Sequence, residues 1–250
     1  MSRPSGIPIL MYHSVSDDGP GPVSLHPTTF REQLSVLADA GAHGVSVSEC
    51  VAALRGGRAL APGTVVLTFD DGYRDFADVV FPLLQDKGWR GTVFVPAVPV
   101  DSGRAWDCGD GHPRPLMTWR TIEQLAAQGV EFGAHSMTHR DLTQLSPEAV
   151  REEIVLSRQR IHERTGCVVD GFAPPFGRST PEIRDELKRH VAWSVGTRMS
   201  RADEHSDVFD LPRLEMWYFR GARRWRRYVE QGWTPYFALR QAMRAAKRAL

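Results

Sequence analysis

The chain lacks the features that would place it in several large classes. It has three cysteines in 250 residues, Cys50, Cys108 and Cys167, and no Cys-x-x-Cys spacing. That argues against a disulfide framework or a thiolate zinc site and leaves buried free thiols as the expectation. No apolar run approaches the roughly 18 residues that span a bilayer. The run Ile7 to Met11 contains Pro8 and stops at Tyr12-His13. It is too short for a secretory leader, so the sequence predicts a cytoplasmic protein. Internal repeats and low-complexity segments are absent, which excludes solenoid arrays and composition-driven disorder.

What is present suits a globular chain with a core: 42% hydrophobic and 24% charged residues, with a net charge of +1. The charge is unevenly spread. Residues 220–250 carry nine Lys and Arg against one acidic residue, whereas the rest carries 22 against 29. The sequence therefore divides into a body, 1–219, and a basic tail, 220–250.

Hydrophobic patterning in the body alternates strands and helices. Strand-like runs occur at Ile7 to Met11, Val65 to Phe69, Thr92 to Val95, Val130 to Ala134, Gly171 to Ala173 and Ala192 to Val195. Helical spacing links Phe30, Leu34, Leu37 and Ala38, and also Phe76, Val79, Val80, Leu83 and Leu84, where Pro82 predicts a bend. Shorter helices are expected over Glu49 to Leu54 and Trp119 to Gln128. Ser146-Pro147-Glu148 opens a long helix, with Ser as cap and Pro at the first position. Pro96 to Pro115 reads as a long loop. Such alternation predicts a parallel sheet or barrel, whose ligands bind at the C-terminal strand ends. His13, Asp70-Asp71, His135 and Pro174-Pro175 fall at those ends.

Two adjacent carboxylates after an apolar strand repel each other unless a cation intervenes. A helix cap followed by an Asp-Gly turn is the alternative for Asp70-Asp71-Gly72. His135 and His139 can meet one ion if the backbone turns between them. Together the two segments offer one Asp and two His to a divalent ion, with positions left open for water and substrate, and leave a second carboxylate to act as base. Zinc is the expected ion for such nitrogen-rich ligands, with manganese, cobalt and nickel as alternatives.

Thr68-Phe69-Asp70-Asp71-Gly72 resembles the first motif of the NodB-homology polysaccharide deacetylases, carbohydrate esterase family four. His135-Ser136-Met137-Thr138-His139 resembles the second, and Ala173-Pro174-Pro175-Phe176-Gly177 is similar to the third. The resemblance implies an α/β fold, a distorted (β/α) barrel of about seven parallel strands forming a single domain beside the basic helical tail. It implies metal-dependent removal of an N-acetyl group from an amino sugar, with release of acetate. Asp70 would be the general base, Asp71, His135 and His139 the metal ligands, and the Phe176 backbone N–H an oxyanion donor.

Two departures stand out. The third-motif Arg that orients the base is Ala173 here, and Arg213, in Leu211-Pro212-Arg213, is the expected substitute. A C-terminal Leu-x-His carrying the catalytic acid is missing. Leu10-Met11-Tyr12-His13 resembles instead the permuted branch with an N-terminal catalytic His, so His13 is expected to protonate the leaving amine. Trp106, in the long loop, is the tryptophan best placed to meet a sugar. Asp107-Cys108-Gly109-Asp110-Gly111-His112 reads as a substrate loop rather than a second metal site.

In the tail, Tyr236, Leu239, Met243, Ala246 and Leu250 share a helical face opposite basic residues. Packing on the barrel is one reading, and peripheral contact with an anionic membrane is the other. Nucleic-acid binding is not expected, since no recognition module accompanies the basic residues. Two competing functions remain open at this point: a cyclic imide or ureide amidohydrolase on the same fold, and a sugar-binding pseudoenzyme, suggested by Ala173.

Overall fold

The computed structural model describes residues 6–17, 23–56, 60–232 and Met243. Its strands are β1 (Ile9–Tyr12), β2 (His43–Val45), β3 (Thr64–Phe69), β4 (Thr92–Val95), β5 (Glu131–Ala134), β6 (Gly171–Phe172), β7 (Trp193–Ser194) and β8 (Leu214–Glu215). Its helices are α1 (Pro27–Asp39), α2 (Val47–Leu54), α3 (Phe81–Gln85), α4 (Ala97–Ser102), α5 (Trp119–Ala126), α6 (Pro147–Thr165), α7 (Pro181–His190) and α8 (Ala222–Gln231).

Seven strands follow one another in the order β7-β6-β5-β4-β3-β1-β8, all parallel. β3 lies near the middle because its β-branched run is buried at every position, as a strand covered on both faces requires. β1 pairs with one side of β3; β2 takes the first half of the other side and β4 the second. The two ends of the curled sheet meet at a narrow seam. Val195 bridges Leu211 in parallel, the Leu211 N–H donates to the Ser194 carbonyl at 3.1 Å, and the Gly196 N–H donates to the Leu211 carbonyl at 2.8 Å. The result is a distorted barrel.

Side-chain alternation divides the core. Ile9, Val66, Phe94, Ala173, Trp193 and Val195 pack on one face of the sheet, while Leu10, Tyr12, Val65, Leu67, Phe69 and Val93 pack with the helices on the other. Asp70 has the same parity as Val66 and Thr68, which aims its carboxylate toward the first group.

The structure differs from the patterning in three places. Residues 97–102 within the expected loop form α4, because Ala97, Pro99 and Val100 are buried and Gly103 ends the turn in a left-handed conformation. The helix expected to bend at Pro82 begins instead with a π-helical stretch, Phe76–Val80, that widens the turn ahead of the proline. β2 and β8 are too short to show a period. Of the cysteines, Cys50 is buried but Cys108 and Cys167 are half-buried, and all three are free thiols.

α8 buries Trp225 and Tyr228, and the Trp225 indole N–H donates to the Gln33 carbonyl of α1 at 3.0 Å. Apart from Met243, the amphipathic segment 236–250 lies outside the described residues. Among the described residues no helix is long and apolar enough to cross a membrane. A cavity of about 840 Å³ opens at the N-terminal end of the strands beside Ile7, Leu37, Val65 and Trp225. The strand ends that carry His13, Asp70, Asp71 and His135 lie at the opposite end.

Candidate active site

Three strands deliver the central residues. The Asp70 N–H donates to the Tyr12 carbonyl at 2.9 Å and completes the β3 ladder, after which Asp71 leaves the strand at φ 75° and Gly72 continues at φ 67°. The His135 N–H donates to the Val95 carbonyl at 2.9 Å, and Ser136 then turns at φ 63°. Among the described residues, the non-glycine positions with left-handed backbone are Asp71, Ser136, His139 and Phe176. Each such conformation costs about 1–3 kcal/mol and persists where the surroundings impose it, as at active sites. Here all of them surround one spot.

That spot is a three-residue cluster. Asp71 Oδ1 lies 3.3 Å from His135 Nε2 and 3.4 Å from His139 Nε2, and the ligand atoms all lie within 4.8 Å of one another. His135 Nδ1 donates to the Ala173 carbonyl at 2.6 Å. A carbonyl only accepts, so the bond fixes a proton on Nδ1 and turns Nε2 toward Asp71, the arrangement that orients metal-binding imidazoles.

The electrostatics favour positive charge. Burial alone would raise the Asp71 carboxyl, but hydrogen bonds from His135 and His139 and the charges of His139 and His13 hold it well below the usual carboxylate range. Burial alone would lower the His135 imidazole, but the Asp71 hydrogen bond, the charges of Asp70 and Asp71 and the Ala173 carbonyl leave it raised. Two nitrogens and one carboxylate oxygen converging in a pocket that attracts cations fit a divalent ion with coordination positions to spare.

The turn that carries His139 is clamped from α6. Glu153 accepts from the Met137 and Thr138 N–H groups, each at 2.8 Å, and from the Thr138 hydroxyl at 2.5 Å. Ser136 Oγ accepts the His139 N–H at 2.9 Å. Sequence reasoning missed Glu153. A signal existed, since it shares the buried face of α6 with Val150, Ile154, Ser157 and Ile161. A carboxylate on an apolar helix face needs a polar task.

Asp70 is held by Arg213. The guanidinium donates to Asp70 Oδ1 at 2.6 Å and Oδ2 at 2.8 Å, and also to Thr68 Oγ1 at 3.1 Å and the Gly196 carbonyl at 2.9 Å. It lies over the Phe94 ring, 5.6 Å from the centroid. Burial pushes the Asp70 carboxyl up, and the charge and hydrogen bonds of Arg213, then the charges of His135 and His13, bring it below its ordinary value. Arg213 thus reaches both oxygens of Asp70 directly, and Ala173 is fully buried.

His13 follows β1 at the same edge, close enough for its charge to act on both Asp70 and Asp71. Its Nδ1 is buried without a hydrogen-bond partner among the described residues.

Two aromatic rings flank His139: Trp106 edge-on at 4.8 Å and Phe176 at 5.1 Å between ring centroids. Phe176 is 54% exposed. Its turn is tight, since a Cβ on Gly177 would lie 2.1 Å from a Thr197 side-chain carbon. Trp106 sits on a hairpin closed by two backbone bonds with Arg114, at 2.8 and 2.9 Å. Asp107, Cys108 and Asp110 cluster on that hairpin, but the buried Arg114 guanidinium lies 2.9 Å from Asp110 and supplies the positive charge there. Trp193 lies in the core, and the Trp119 indole bonds Asp101.

A parallel barrel with an Asp-His-His cluster that could hold a cation and an arginine-held second aspartate at the C-terminal strand ends is the frame for the comparisons with known proteins. Residues 57–192 match the family model described as polysaccharide deacetylase, and the chain belongs to that family. Among solved structures, the Streptococcus pyogenes deacetylase PplD in complex with acetate is similar at TM-score 0.74 and 26% identity, over 84% of this chain and 92% of that one. IcaB from Ammonifex degensii has the same fold at TM-score 0.75 and 23% identity, over 90% and 98% of the two chains. The poly-beta-1,6-N-acetyl-D-glucosamine N-deacetylase of Escherichia coli K12 is 31% identical over 140 residues, which span 53% of this chain and 21% of that enzyme.

Proposed function

We propose that this chain is a metal-dependent N-deacetylase that hydrolyses the acetamide of an amino sugar within a glycan or glycosylated molecule. The observation that carries the reading is an aspartate fixed in its ionised form by Arg213 next to an Asp-His-His cluster. Asp71, His135 and His139 would hold the ion, with zinc the choice for this donor set. A bound ion there supplies Lewis-acid polarisation of the acetamide carbonyl and acidifies water.

The chain's own residues account for the protons. Asp70 accepts a proton from the attacking water, which adds to the carbonyl carbon. The Phe176 backbone N–H donates to the developing oxyanion. His13 gives a proton to the nitrogen as the C–N bond breaks, so the products are acetate and a free amine. The acid in this reading directly follows β1.

Two observations weigh against the other readings. Phe176 forms an open, exposed rim beside His139, which suits a glycan better than a small imide in a closed pocket. Arg213 supplies the contact absent at Ala173, so that position no longer argues for a pseudoenzyme. The test is acetate release from a panel of N-acetylated sugars, with and without chelator. Chelator-sensitive release supports the reading. No release from any sugar by the metal-loaded protein overturns it.

A further inference from the structure

Asp75 ends the stretch Asp70-Asp71-Gly72-Tyr73-Arg74-Asp75, and the reaction described above does not use it. Its carboxylate reaches back to the loop after β1. Oδ1 accepts the Val15 N–H at 3.0 Å, and Oδ2 accepts the Ser14 hydroxyl at 2.6 Å. These are the two residues that follow His13. Ser14 is also fixed through its main chain: its N–H donates to the Val23 carbonyl at 2.9 Å, and its carbonyl accepts the Leu25 N–H at 3.0 Å. Ser16 Oγ lies 3.0 Å from Ser14 Oγ.

Burial pushes the Asp75 carboxyl up, to about 6, against the bonds from Ser14 and Val15 and the charge of Arg114. The fold therefore keeps a carboxylate where ionisation is disfavoured. His13 Nδ1 has no hydrogen-bond partner among the described residues, so the aim of the ring depends on the main chain that carries it.

We infer that Asp75 is a positioning residue for His13, which clamps Ser14 and Val15 so that the imidazole points at the bond being broken. The inference rests on the reading of His13 as the acid. Misplacing a reacting group by about 1 Å can cost about 10²-fold in rate, and here the cost falls only on the step that needs the proton. An amine must be protonated to leave. A nitrophenolate leaves without it.

The experiment compares wild type with His13→Ala, Asp75→Asn and Ser14→Ala on an N-acetylglucosamine oligomer and on 4-nitrophenyl acetate, with metal content measured for each. His13→Ala loses about 10²–10⁴-fold in kcat on the amide and little on the ester. Asp75→Asn loses up to about 10²-fold in kcat on the amide, with KM, metal content and ester hydrolysis nearly unchanged. Ser14→Ala shows the same selectivity with a smaller loss, and it keeps the carboxylate if Asp75→Asn fails to fold. Equal loss on both substrates in the clamp variants, or no loss on the amide, overturns the inference when His13→Ala is selective. If His13→Ala is not selective, the acid reading fails and takes the inference with it.

Discussion

Arg213 and Asp70 form a bidentate pair, at 2.6 and 2.8 Å, between residues 143 positions apart in the chain. The pair joins the end of β3 to the segment that enters β8, so Asp70 is oriented by a residue from a late segment of the chain. Both side chains are almost wholly buried, where a charge without its partner is costly.

Removing the guanidinium should therefore damage stability and activity together. Arg213→Met leaves a buried carboxylate unpaired and is expected to cost about 3–5 kcal/mol in denaturant unfolding. Arg213→Lys keeps the charge but not the two-pronged geometry, and should be more stable than Arg213→Met while remaining well below wild type in kcat. Undiminished turnover in either variant would remove Arg213 from the account.

Glu153 should act on metal affinity without touching the ion. Glu153→Gln replaces an acceptor of several hydrogen bonds with a group that also presents donors, loosening the turn that carries His139. Support of this kind is worth about 10–100-fold in metal affinity. A zinc titration monitored by calorimetry checks it, and unchanged affinity would show that the turn holds itself.

Phe176 offers a way to separate main chain from side chain. Phe176→Ala keeps the N–H assigned to the oxyanion and deletes the exposed ring. KM for a sugar oligomer is expected to rise several-fold while kcat stays close to wild type, because stacking contributes roughly 1 kcal/mol. A large fall in kcat with KM unchanged would place the ring, not the rim, in the chemistry.

Asp75 gives a pH signature in stability. Its folded carboxyl titrates near 6, against a reference of 3.8, so between these values the folded state binds more protons than the unfolded state. Stability from this group is greatest at low pH and is lost as pH rises through that window. The difference in unfolding free energy between wild type and Asp75→Asn should shift against wild type from about pH 4 to 6 and then level off. A flat difference would mean the carboxyl is not raised.

Asp71 and His135 were legible in the sequence because each comes just after a strand whose apolar run stops there, and His139 because it lies four residues beyond His135. Asp70-Asp71 ends Thr64–Phe69, and His135 ends Glu131–Ala134. Arg213 drew notice only through the resemblance, whose third-motif Arg is Ala173 here; its pairing with Asp70 across 143 positions has no local signature. Glu153 and Asp75 were not legible as supports. The buried face of α6 marks Glu153 as needing a polar task but not which one, and the N–H and hydroxyl groups that each carboxylate holds carry no sequence signature of that pairing. α4 was hidden by Pro96 and Pro99, although proline at the start of a short helix breaks no hydrogen bond. β8, with two residues, is defined by its neighbour β1 rather than by any period.

Acetate release by metal-loaded Asp70→Asn, set beside wild type on the same N-acetylated oligomer, tests the central claim most directly. With the ion bound to the same stoichiometry, loss of the base should lower kcat by about 10²–10⁴-fold. Turnover within a few-fold of wild type would contradict the assignment of Asp70 and, with it, the mechanism built on the pair it forms with Arg213.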